Sequence, residues 1–565
     1  MKIGIKYGFV AAFLYCFTGL YSQTYYLPLN HQLWDQIYQQ RKVERDSLFH
    51  FTVRPVNPFR FSDYYEWRRK SEPSELYPKD SVAFTDGWQR LKQEMRFENR
   101  FATQTWFGRK LLQEDLFRIQ KTDFGLAINP LGHLQLGRDS RSGNELTFRN
   151  TRGLQLMGRL GRQLTFYTDF HENQAFFPLY VREWVQSRPQ RKLVIPGQGI
   201  PKRFKGDRET YDFAYVSGHF NWQLSRHVNF QMGYGKNFVG HGYRSLLLSD
   251  NSFYYPYFRI QTDFWKVQYT NIYAQLRDVR IETPDGTYGR KYLIAHQLSI
   301  NLTPKLNVGL YEGIIYADTL GIRGLEWEYL NPIIFFRPLE FAIGSQGGNV
   351  VLGANARYAF TPRLSVYGQL LIDEFVLSEL RSGDGWWGNK YAYQLGAQYA
   401  LPKYGLLFRT EYNTARPYTY THNTLAQNYA HYNQSLAHPL GANFRETLLF
   451  VQFYKKRFFV ETQFMYATQG LDNEGSNWGG DIYLDYENRE SDYGNFTTQG
   501  VLSTTLLADL KTGWVLNPAY NLRFELGLTY RRVESDSVLS PVPNQSTKWL
   551  HFGLVTRLDN QYLDF

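Results

Sequence analysis

The feature that most constrains this chain is a period-two alternation of apolar and polar side chains, repeated in many runs from about residue 120 onward. In residues 522–530 every second residue is apolar, and Arg523, Glu525, Gly527 and Thr529 lie between them. Runs at 364–373, 406–413 and 458–466 repeat the pattern. Successive side chains of a strand point to opposite faces, so each run predicts a strand between an apolar and an aqueous environment.

The composition favours strands that cross a membrane. Aromatic residues make up 18% of the chain, yet hydrophobic residues total 43% and the mean hydropathy is -0.47. A membrane-spanning helix needs roughly 20 consecutive apolar residues, and no such run follows the first two dozen residues. A transmembrane barrel needs apolar residues only at alternate positions and concentrates aromatic residues at its two interfaces. We therefore predict an all-β fold, a transmembrane antiparallel β-barrel.

Short and long connections alternate between the runs. The short ones are polar or contain Pro, as hairpin turns do, and lie at 161–162, 225–226, 303–305, 361–363, 402–403, 455–457 and 517–518. The long ones include 172–209, 415–442 and 470–498. Outer-membrane barrels combine tight periplasmic turns with longer outer loops. The spacing predicts about 16–18 strands, with 18 favoured.

The N-terminus has the pattern of an export signal. Lys2 and Lys6 precede an apolar stretch at 9–17, and a plausible cleavage site follows at 20–22. Cys16, the single cysteine, lies inside the apolar stretch, so the mature chain is expected to have no disulfide. We predict a signal peptide over residues 1–22 and export to the cell outer membrane.

Residues 23–120 differ from the rest, being richer in charge and in helical spacing. Asn30 is a candidate cap for a helix that carries Leu33, Ile37 and Arg41 on one side, and a second candidate helix covers 86–99. We predict a partly helical segment that is periplasmic or fills the lumen; a disordered basic leader is the alternative. Residues 121–565 are then the outer-membrane β-barrel.

The formal net charge of +11 raises the question of nucleic acid. The positive residues are spread among turns and strand faces without forming one basic stripe, and an exported chain does not meet nucleic acid. A surface beside anionic outer-membrane lipid and lipopolysaccharide explains the charge better.

The last residues continue the alternation, with an apolar face from Leu550 to Leu558. The terminal aromatic Phe565 resembles the signal that barrel-assembly machinery recognises. Leu563 and Phe565 are out of phase with that face, so a terminal strand requires a bulge near residues 559–560.

Three segments read KNFVGHGYRSLLLSDN at 236–251, EYLNPIIFFRP at 328–338, and RPYTY at 416–420 followed by HPLGAN at 438–443. These segments resemble the Wzi-like capsule-assembly family of outer-membrane barrels. The resemblance looks closest to the gliding-motility branch of Bacteroidota, called RemB. It implies an 18-stranded, non-enzymatic barrel with a plugged lumen, whose outer loops hold or organise surface polysaccharide.

Hydrolysis and metal binding are two other kinds of chemistry that the sequence must be tested for. Ser245, His241 and Asp250 supply the residue types of a hydrolase within ten positions, but a triad is defined by geometry; we expect no enzymatic activity and no cofactor. Carboxylates, the ligands that calcium prefers, crowd residues 472–492, at Asp472, Glu474, Asp481, Asp485, Glu487, Glu490 and Asp492. They match no EF-hand, so a solvated acidic loop is favoured and no metal site is assigned.

The candidate polysaccharide-binding residues are Trp386, Trp387, Arg244, Tyr418 and Tyr420. Aromatic faces offer flat apolar surface for sugar rings, although interface girdles explain the same residues. Arg244 could meet acidic sugars, but pairing with carboxylates inside the barrel is favoured.

The sequence thus predicts a surface-assembly protein that attaches or organises capsule, exopolysaccharide or adhesins in support of gliding motility. Expected partners are surface polysaccharide and gliding or secretion-machinery proteins. The alternative is a porin-like channel or an accessory subunit of a protein secretion translocon.

Overall fold

Eighteen antiparallel strands close into one barrel. The computed structural model describes residues 29–39, 50–56, 104–143, 145–161, 163–187, 192–204, 209–333, 335–338, 347–536 and 540–565. The barrel strands are β1 Phe124–Asp139, β2 Leu146–Leu160, β3 Leu164–Phe176, β4 Tyr211–Gln223, β5 Val228–Gly235, β6 Tyr255–Phe264, β7 Val267–Glu282, β8 Tyr288–Thr303, β9 Leu306–Asp318, β10 Asn349–Ala359, β11 Leu364–Glu374, β12 Lys390–Leu401, β13 Leu406–Ala415, β14 Phe444–Lys455, β15 Phe458–Leu471, β16 Val501–Asn517, β17 Leu522–Ser535 and β18 Gln545–Thr556. The predicted fold class and the favoured strand number are confirmed.

Each strand pairs with its neighbours in the chain, and β18 pairs with β1 to close the barrel, with Phe552 opposite Leu136. Closure satisfies the backbone hydrogen bonds that an open sheet would leave at its edges.

Smaller elements lie between or inside these strands. The helices are α1 His31–Gln39, α2 Trp106–Leu112, α3 Leu179–Gln186 and α4 Leu377–Ser382. Short strands are Val53–Arg54, Phe117–Gln120, Lys202–Arg203, Phe238–Val239, Ala430–His431 and Gln434–Ser435, and 3-10 turns are Trp327–Leu330, Pro402–Tyr404, Leu425–Gln427 and Tyr486–Asn488. Among the described residues, none of the helices has the length and apolar character needed to cross a bilayer.

The alternation in the sequence becomes an outside and an inside. On β17, Phe524, Leu526 and Leu528 are 45%, 43% and 46% exposed on the outer face. Arg523 and Glu525, which lie between them, are buried toward the lumen. The predicted hairpin turns all join strands at one end of the barrel, and the long connections lie at the other end. We refer to these as the turn end and the loop end.

The start of the described chain lies inside the barrel. Asn30 caps α1 as predicted, because its side chain accepts a hydrogen bond from Leu33 N at 3.0 Å. Leu33 and Trp34 are buried, and Asp35 forms an ion pair with Arg409 of β13. The predicted signal peptide and the candidate helix at 86–99 lie outside the described residues.

Loop segments fill much of the lumen. Residues 236–254, between β5 and β6, and residues 416–443, between β13 and β14, pack against inward-facing side chains of the strands. Leu247 and Tyr429 are fully buried there, and the Tyr429 hydroxyl lies 2.7 Å from the Tyr311 hydroxyl of β9. The backbone of Val53 pairs with that of Val239, which ties the N-terminal stretch to the first of these segments.

The expected terminal strand with its outward apolar face is confirmed as far as Thr556, but its expected continuation through a bulge to Phe565 is wrong. Strand β18 ends at Thr556, and residues 557–565 leave the wall and run through the lumen toward the loop end. There the Phe565 ring packs against Tyr180 and Trp184 of α3, with ring centroids 6.1 and 5.1 Å apart. The physical reason is that the polar residues of this stretch find partners inside the barrel, as Tyr562 does when its hydroxyl donates to Asp250 at 2.7 Å.

Candidate functional site

A buried ionic network lies at the centre of the lumen. Arg244 Nη2 donates to Glu446 Oε1 at 2.9 Å, and Arg244 Nη1 donates to Asp564 Oδ1 at 3.2 Å. The ring of His438 lies 2.8 Å from the second oxygen of Glu446. Arg244 is 1% exposed, so the favoured pairing with lumen carboxylates is what the structure contains, and this guanidinium is out of reach of a ligand at the surface.

The residue types of a hydrolase do not assemble. Ser245 Oγ donates to the Val239 carbonyl at 2.6 Å, and His241 Nε2 lies 3.2 Å from Asn307 Oδ1. Asp250 accepts hydrogen bonds from the 557–565 stretch instead of from His241. The three side chains thus have three different partners: the backbone of the same segment, the wall strand β9 and the 557–565 stretch.

The carboxylates of the acidic loop hold the loop itself together. Asp472 accepts hydrogen bonds from the backbone N–H groups of Trp478 and Asp481, the second at 2.7 Å. Glu490 accepts from Asn477 N at 2.9 Å. Burial raises the pKa of Asp472 to about 6. These carboxylate oxygens therefore stabilise the folded loop by accepting hydrogen bonds from its backbone.

Within the part of the chain that the structure describes, one group of side chains is spaced closely enough for a metal ion. It comprises Asp169 and His171 of β3 and Asp559, whose ligand atoms lie within 4.8 Å of one another inside the barrel, away from the acidic loop. Asp169 already accepts from Ser217 Oγ at 2.6 Å and from the Tyr167 hydroxyl at 2.8 Å. Its oxygens are therefore engaged by protein donors.

Two outer loops join at the loop end of the barrel. Residues 375–389 connect β11 to β12, and residues 472–500 connect β15 to β16. Backbone hydrogen bonds tie them together, from Trp387 N to Asp492 O at 2.9 Å and from Gly494 N to Asp384 O at 2.8 Å. The pairing fixes Trp386 and Trp387 against a loop that lies about a hundred residues further along the chain.

Trp387 is the centre of an aromatic cluster between these loops. Its ring centroid lies 4.9 Å from that of Tyr486, and the guanidinium carbon of Arg489 lies 4.2 Å from it. Tyr418 meets the ring edge-on at 6.2 Å. Trp387 is partly exposed, whereas Tyr418 is fully buried and its hydroxyl donates to Asn477 O. Tyr418 therefore supports Trp387 from below.

Trp386 extends the exposed side of the cluster. It is partly exposed and lies 5.9 Å from Trp387, with its ring packed across Gly388. A Cβ at Gly388 would lie 2.4 Å from Trp386 Cη2, so glycine is needed for this approach. We call Trp386, Trp387, Tyr486 and Arg489 the outer aromatic cluster.

Tyr420 lies apart from the outer aromatic cluster. It is fully buried in the lumen, where its hydroxyl donates to Leu246 O at 2.8 Å. Of the five candidate residues, the structure thus brings Trp386, Trp387 and Tyr418 together and leaves Arg244 and Tyr420 inside. Tyr486 and Arg489 are not among the predicted site residues, because they lie in a stretch whose many carboxylates indicate a solvated acidic loop.

A lysine, a glutamate and a histidine lie next to the outer aromatic cluster. Lys390 Nζ lies 4.6 Å from the Tyr486 ring centroid and 3.2 Å from a carboxylate oxygen of Glu374. The His422 ring meets Tyr486 edge-on at 6.3 Å. Burial, helped by the nearby Lys390 ammonium, lowers the pKa of His422 to about 4. The imidazole is therefore neutral at pH 7.

No family model matches the chain, and no curated protein matches it. Among solved structures, the outer-membrane protein Wzi of Escherichia coli aligns with 94% of this chain and 99% of its own, at 14% identity and a TM-score of 0.50. The chain is similar in fold to Wzi. Wzi is involved in group 1 capsule assembly and is a carbohydrate-binding β-barrel. The resemblance noted in the sequence is confirmed at the level of the barrel, and the RemB branch stays a prediction.

Two solved structures from Pseudomonas aeruginosa also align with the barrel. OprD is 10% identical over 76% of this chain and 94% of its own, and OpdO is 12% identical over 76% and 96%; both TM-scores are 0.40. These likenesses are more distant than that to Wzi and do not bear on function. The chain is an 18-stranded barrel of the type found in outer-membrane proteins.

Proposed function

We propose that this chain is an outer-membrane surface-assembly protein that holds or organises surface polysaccharide at its outer aromatic cluster. The observation that carries the proposal is the pair of partly exposed tryptophans, Trp386 and Trp387, fixed at the loop end of a barrel whose fold resembles Wzi.

The chemistry of the cluster suits sugars. A pyranose ring has an apolar face that stacks on an aromatic ring and hydroxyls that need polar partners at its edge. The two indole rings supply aromatic surface for the apolar face of the sugar. The polar partners for its hydroxyls are Arg489 and the carboxylate of Asp492, which lies 2.6 Å from Arg489 Nε. Because Tyr486 and Tyr418 hold Trp387 in place, little conformational entropy is lost on binding.

The filled lumen favours this role over that of an open channel. Residues 236–254, 416–443 and 557–565 occupy space that an open porin leaves to water. A secretion accessory subunit is compatible with a filled barrel, and it requires a protein partner in place of a glycan.

We extend the proposal to the finer expectations from the sequence. Residues 1–22 direct export, residues 121–565 form the membrane barrel, and the protein belongs with the RemB-like members that support gliding motility. The partner at the cluster is then capsule or exopolysaccharide, with adhesins or gliding and secretion-machinery proteins as further partners. Outer-membrane lipid and lipopolysaccharide surround the wall.

The test is a comparison in cells that carry the gene. A Trp386→Ala, Trp387→Ala double variant is compared with Trp265→Ala, a control whose indole is 72% exposed in the turn between β6 and β7 at the opposite end. Cell-bound polysaccharide, gliding speed and protein secretion are measured side by side. We expect the double variant to shed polysaccharide into the medium while the control retains it. Unchanged polysaccharide with impaired secretion would contradict the proposal and support the translocon role.

A further inference from the structure

A row of polar side chains lies on the outer face of the barrel, where hydrocarbon is expected. Asn271 of β7 is paired with His296 of β8, and His296 with Glu312 of β9. All three point outward, in phase with the exposed apolar residues Leu302 and Leu310 of the same strands. Each lies away from the strand ends, at the level of the lipid-facing belt. Polar groups at that depth are costly unless protein covers them.

A loop covers this row from outside. The connection from β9 to β10 leaves the loop end, and its described residues 327–333 and 335–338 fold back over the outer wall. The Phe336 ring lies 4.5 Å from that of His296, and Tyr329 stacks on Tyr316 of β9 at 4.8 Å. Asn271, His296 and Glu312 are consequently only 2%, 5% and 7% exposed. We call residues 319–333 and 335–338 the outer-wall segment.

The wall provides hydrogen bonds for the backbone of this segment. Glu312 accepts from Phe336 N at 2.6 Å, and the Tyr273 hydroxyl of β7 donates to Leu330 O at 3.0 Å. The Tyr269 hydroxyl donates to Pro332 O. Irregular backbone is tolerated at membrane depth only where protein satisfies its polar groups. These contacts explain why a carboxylate and two tyrosine hydroxyls lie on a lipid-facing wall.

The exposed residues of the segment are mainly apolar, with Glu328 and Asn331 among them. Ile322, Trp327, Ile333 and Phe335 are 82%, 84%, 80% and 73% exposed. The strands beneath expose apolar residues as well, represented by Leu310 at 57%. Exposed large apolar side chains in water are unfavourable, whereas the same side chains match acyl chains.

We propose that the outer-wall segment is a membrane-embedded cover, which seals the polar row and presents Ile333, Phe335 and Trp327 to lipid acyl chains. The barrel is thereby thickened on one side, over β7–β10. The proposal concerns the wall and does not depend on a glycan at the loop end.

Spin labelling tests the environment of the segment directly. The chain has a single cysteine, Cys16, so Ile333→Cys and Phe335→Cys are made in a Cys16→Ser background and labelled with a nitroxide. Leu310→Cys is the lipid-facing control, and Glu487→Cys, exposed on an outer loop, is the aqueous control. Each variant is reconstituted into phosphatidylcholine vesicles, and its collision rates with oxygen and with a nickel chelate are measured.

We expect labels at 333 and 335 to behave like the Leu310 label, accessible to oxygen and at least about fivefold less accessible to nickel than the Glu487 label. Nickel access equal to that of the Glu487 label would mean that the segment lies in water and would overturn the proposal. Shielding from both reagents would mean that a second copy or another protein covers it, which also overturns the lipid assignment.

A matched pair of substitutions tests the attachment. Glu312→Gln keeps an oxygen that can accept from Phe336 N, whereas Glu312→Leu removes it. The label at Phe335→Cys should gain mobility with Glu312→Leu and keep its spectrum with Glu312→Gln. Equal spectra in the two variants would contradict the role of Glu312 in holding the segment, and the Leu310 label in each variant reports whether the barrel itself is intact.

Discussion

Arg244 and Glu446 form an ion pair of 2.9 Å in the middle of the lumen, 202 positions apart in the chain. Arg244 comes from the segment between β5 and β6, and Glu446 is an inward-facing residue of β14. The same guanidinium reaches Asp564 in the last stretch of the chain. One buried cation thus connects the wall to two of the segments that fill the barrel.

Replacing Arg244 should destabilise the segments that fill the lumen. Arg244→Ala leaves the carboxylates of Glu446 and Asp564 buried without their cation, which costs about 3–5 kcal/mol. The free energy of unfolding, measured by urea titration of the barrel in lipid vesicles, should fall by that amount. Arg532→Ala is the control, because Arg532 pairs with Glu534 on an exposed surface and should change nothing measurable. Equal stability of the two variants would refute the central role of Arg244.

Removing residues 557–565 should open a path through the barrel. Two adjoining cavities of about 90 and 80 Å³ border this stretch, and both are lined by Gln463, Asp509, Lys511, Arg557 and Gln561. Without the stretch they merge into a polar passage along β15–β18. Planar-bilayer recordings should show almost no current for the intact chain and steady conductance for the shortened one. Large, steady conductance of the intact chain would instead support the porin alternative.

Protonation of His422 should weaken the loops around the outer aromatic cluster. The pKa of His422 is about 4 when the loops are folded and about 6.5 when they are open. Between these values the open loops bind more protons, so the stabilisation is present above pH 6.5 and is lost as the pH falls to 4. The loss is about 1–3 kcal/mol.

Protonation of Asp472, whose pKa burial raises to about 6, acts in the opposite direction. His422→Gln keeps a neutral polar side chain and removes only the contribution of the histidine. Hydrogen exchange of loop peptides, corrected for intrinsic rates, should therefore lose more protection between pH 7 and pH 5 in the wild type than in His422→Gln. A pH effect of the same size in His422→Gln would assign the acid sensitivity to another group.

Gly388→Ala should displace Trp386 without unfolding the barrel. The added Cβ would lie 2.4 Å from the indole, so the ring must move off its present site. Polysaccharide affinity should fall while the unfolding free energy of the barrel stays within about 1 kcal/mol, as for other loop substitutions. Ser382→Ala, at an exposed position of the same loop, should leave both unchanged. Unchanged polysaccharide affinity in Gly388→Ala would show that Trp386 does not take part in binding.

The strands were predictable because their signal is local. The alternation of residues such as Phe524 and Glu525 predicts which side chains face outward. Turns such as 303–305 show where the chain reverses its direction between two strands. Asn30 was likewise predictable, since a cap lies next to the helix that it serves.

The site was less predictable because its contacts join distant parts of the chain. Trp387 and Tyr486 are neighbours only because the loops after β11 and β15 meet above the lumen. Phe565 was expected in a strand, because an apolar terminal residue looks the same whether its apolar partner is lipid or α3. A signal for the outer-wall segment did exist: His296 and Glu312 interrupt the outward apolar positions of β8 and β9 with polar residues.

The central claim is that the outer aromatic cluster binds surface polysaccharide, and direct titration tests it best. Polysaccharide extracted from cells that carry the gene is titrated into the reconstituted barrel, and heat is recorded. The account predicts saturable binding by the wild type and by Trp265→Ala, weakened at least about tenfold in Trp386→Ala, Trp387→Ala, which corresponds to about 1.4 kcal/mol. Equal affinity of the double variant and the wild type, or no binding by the wild type, would contradict it.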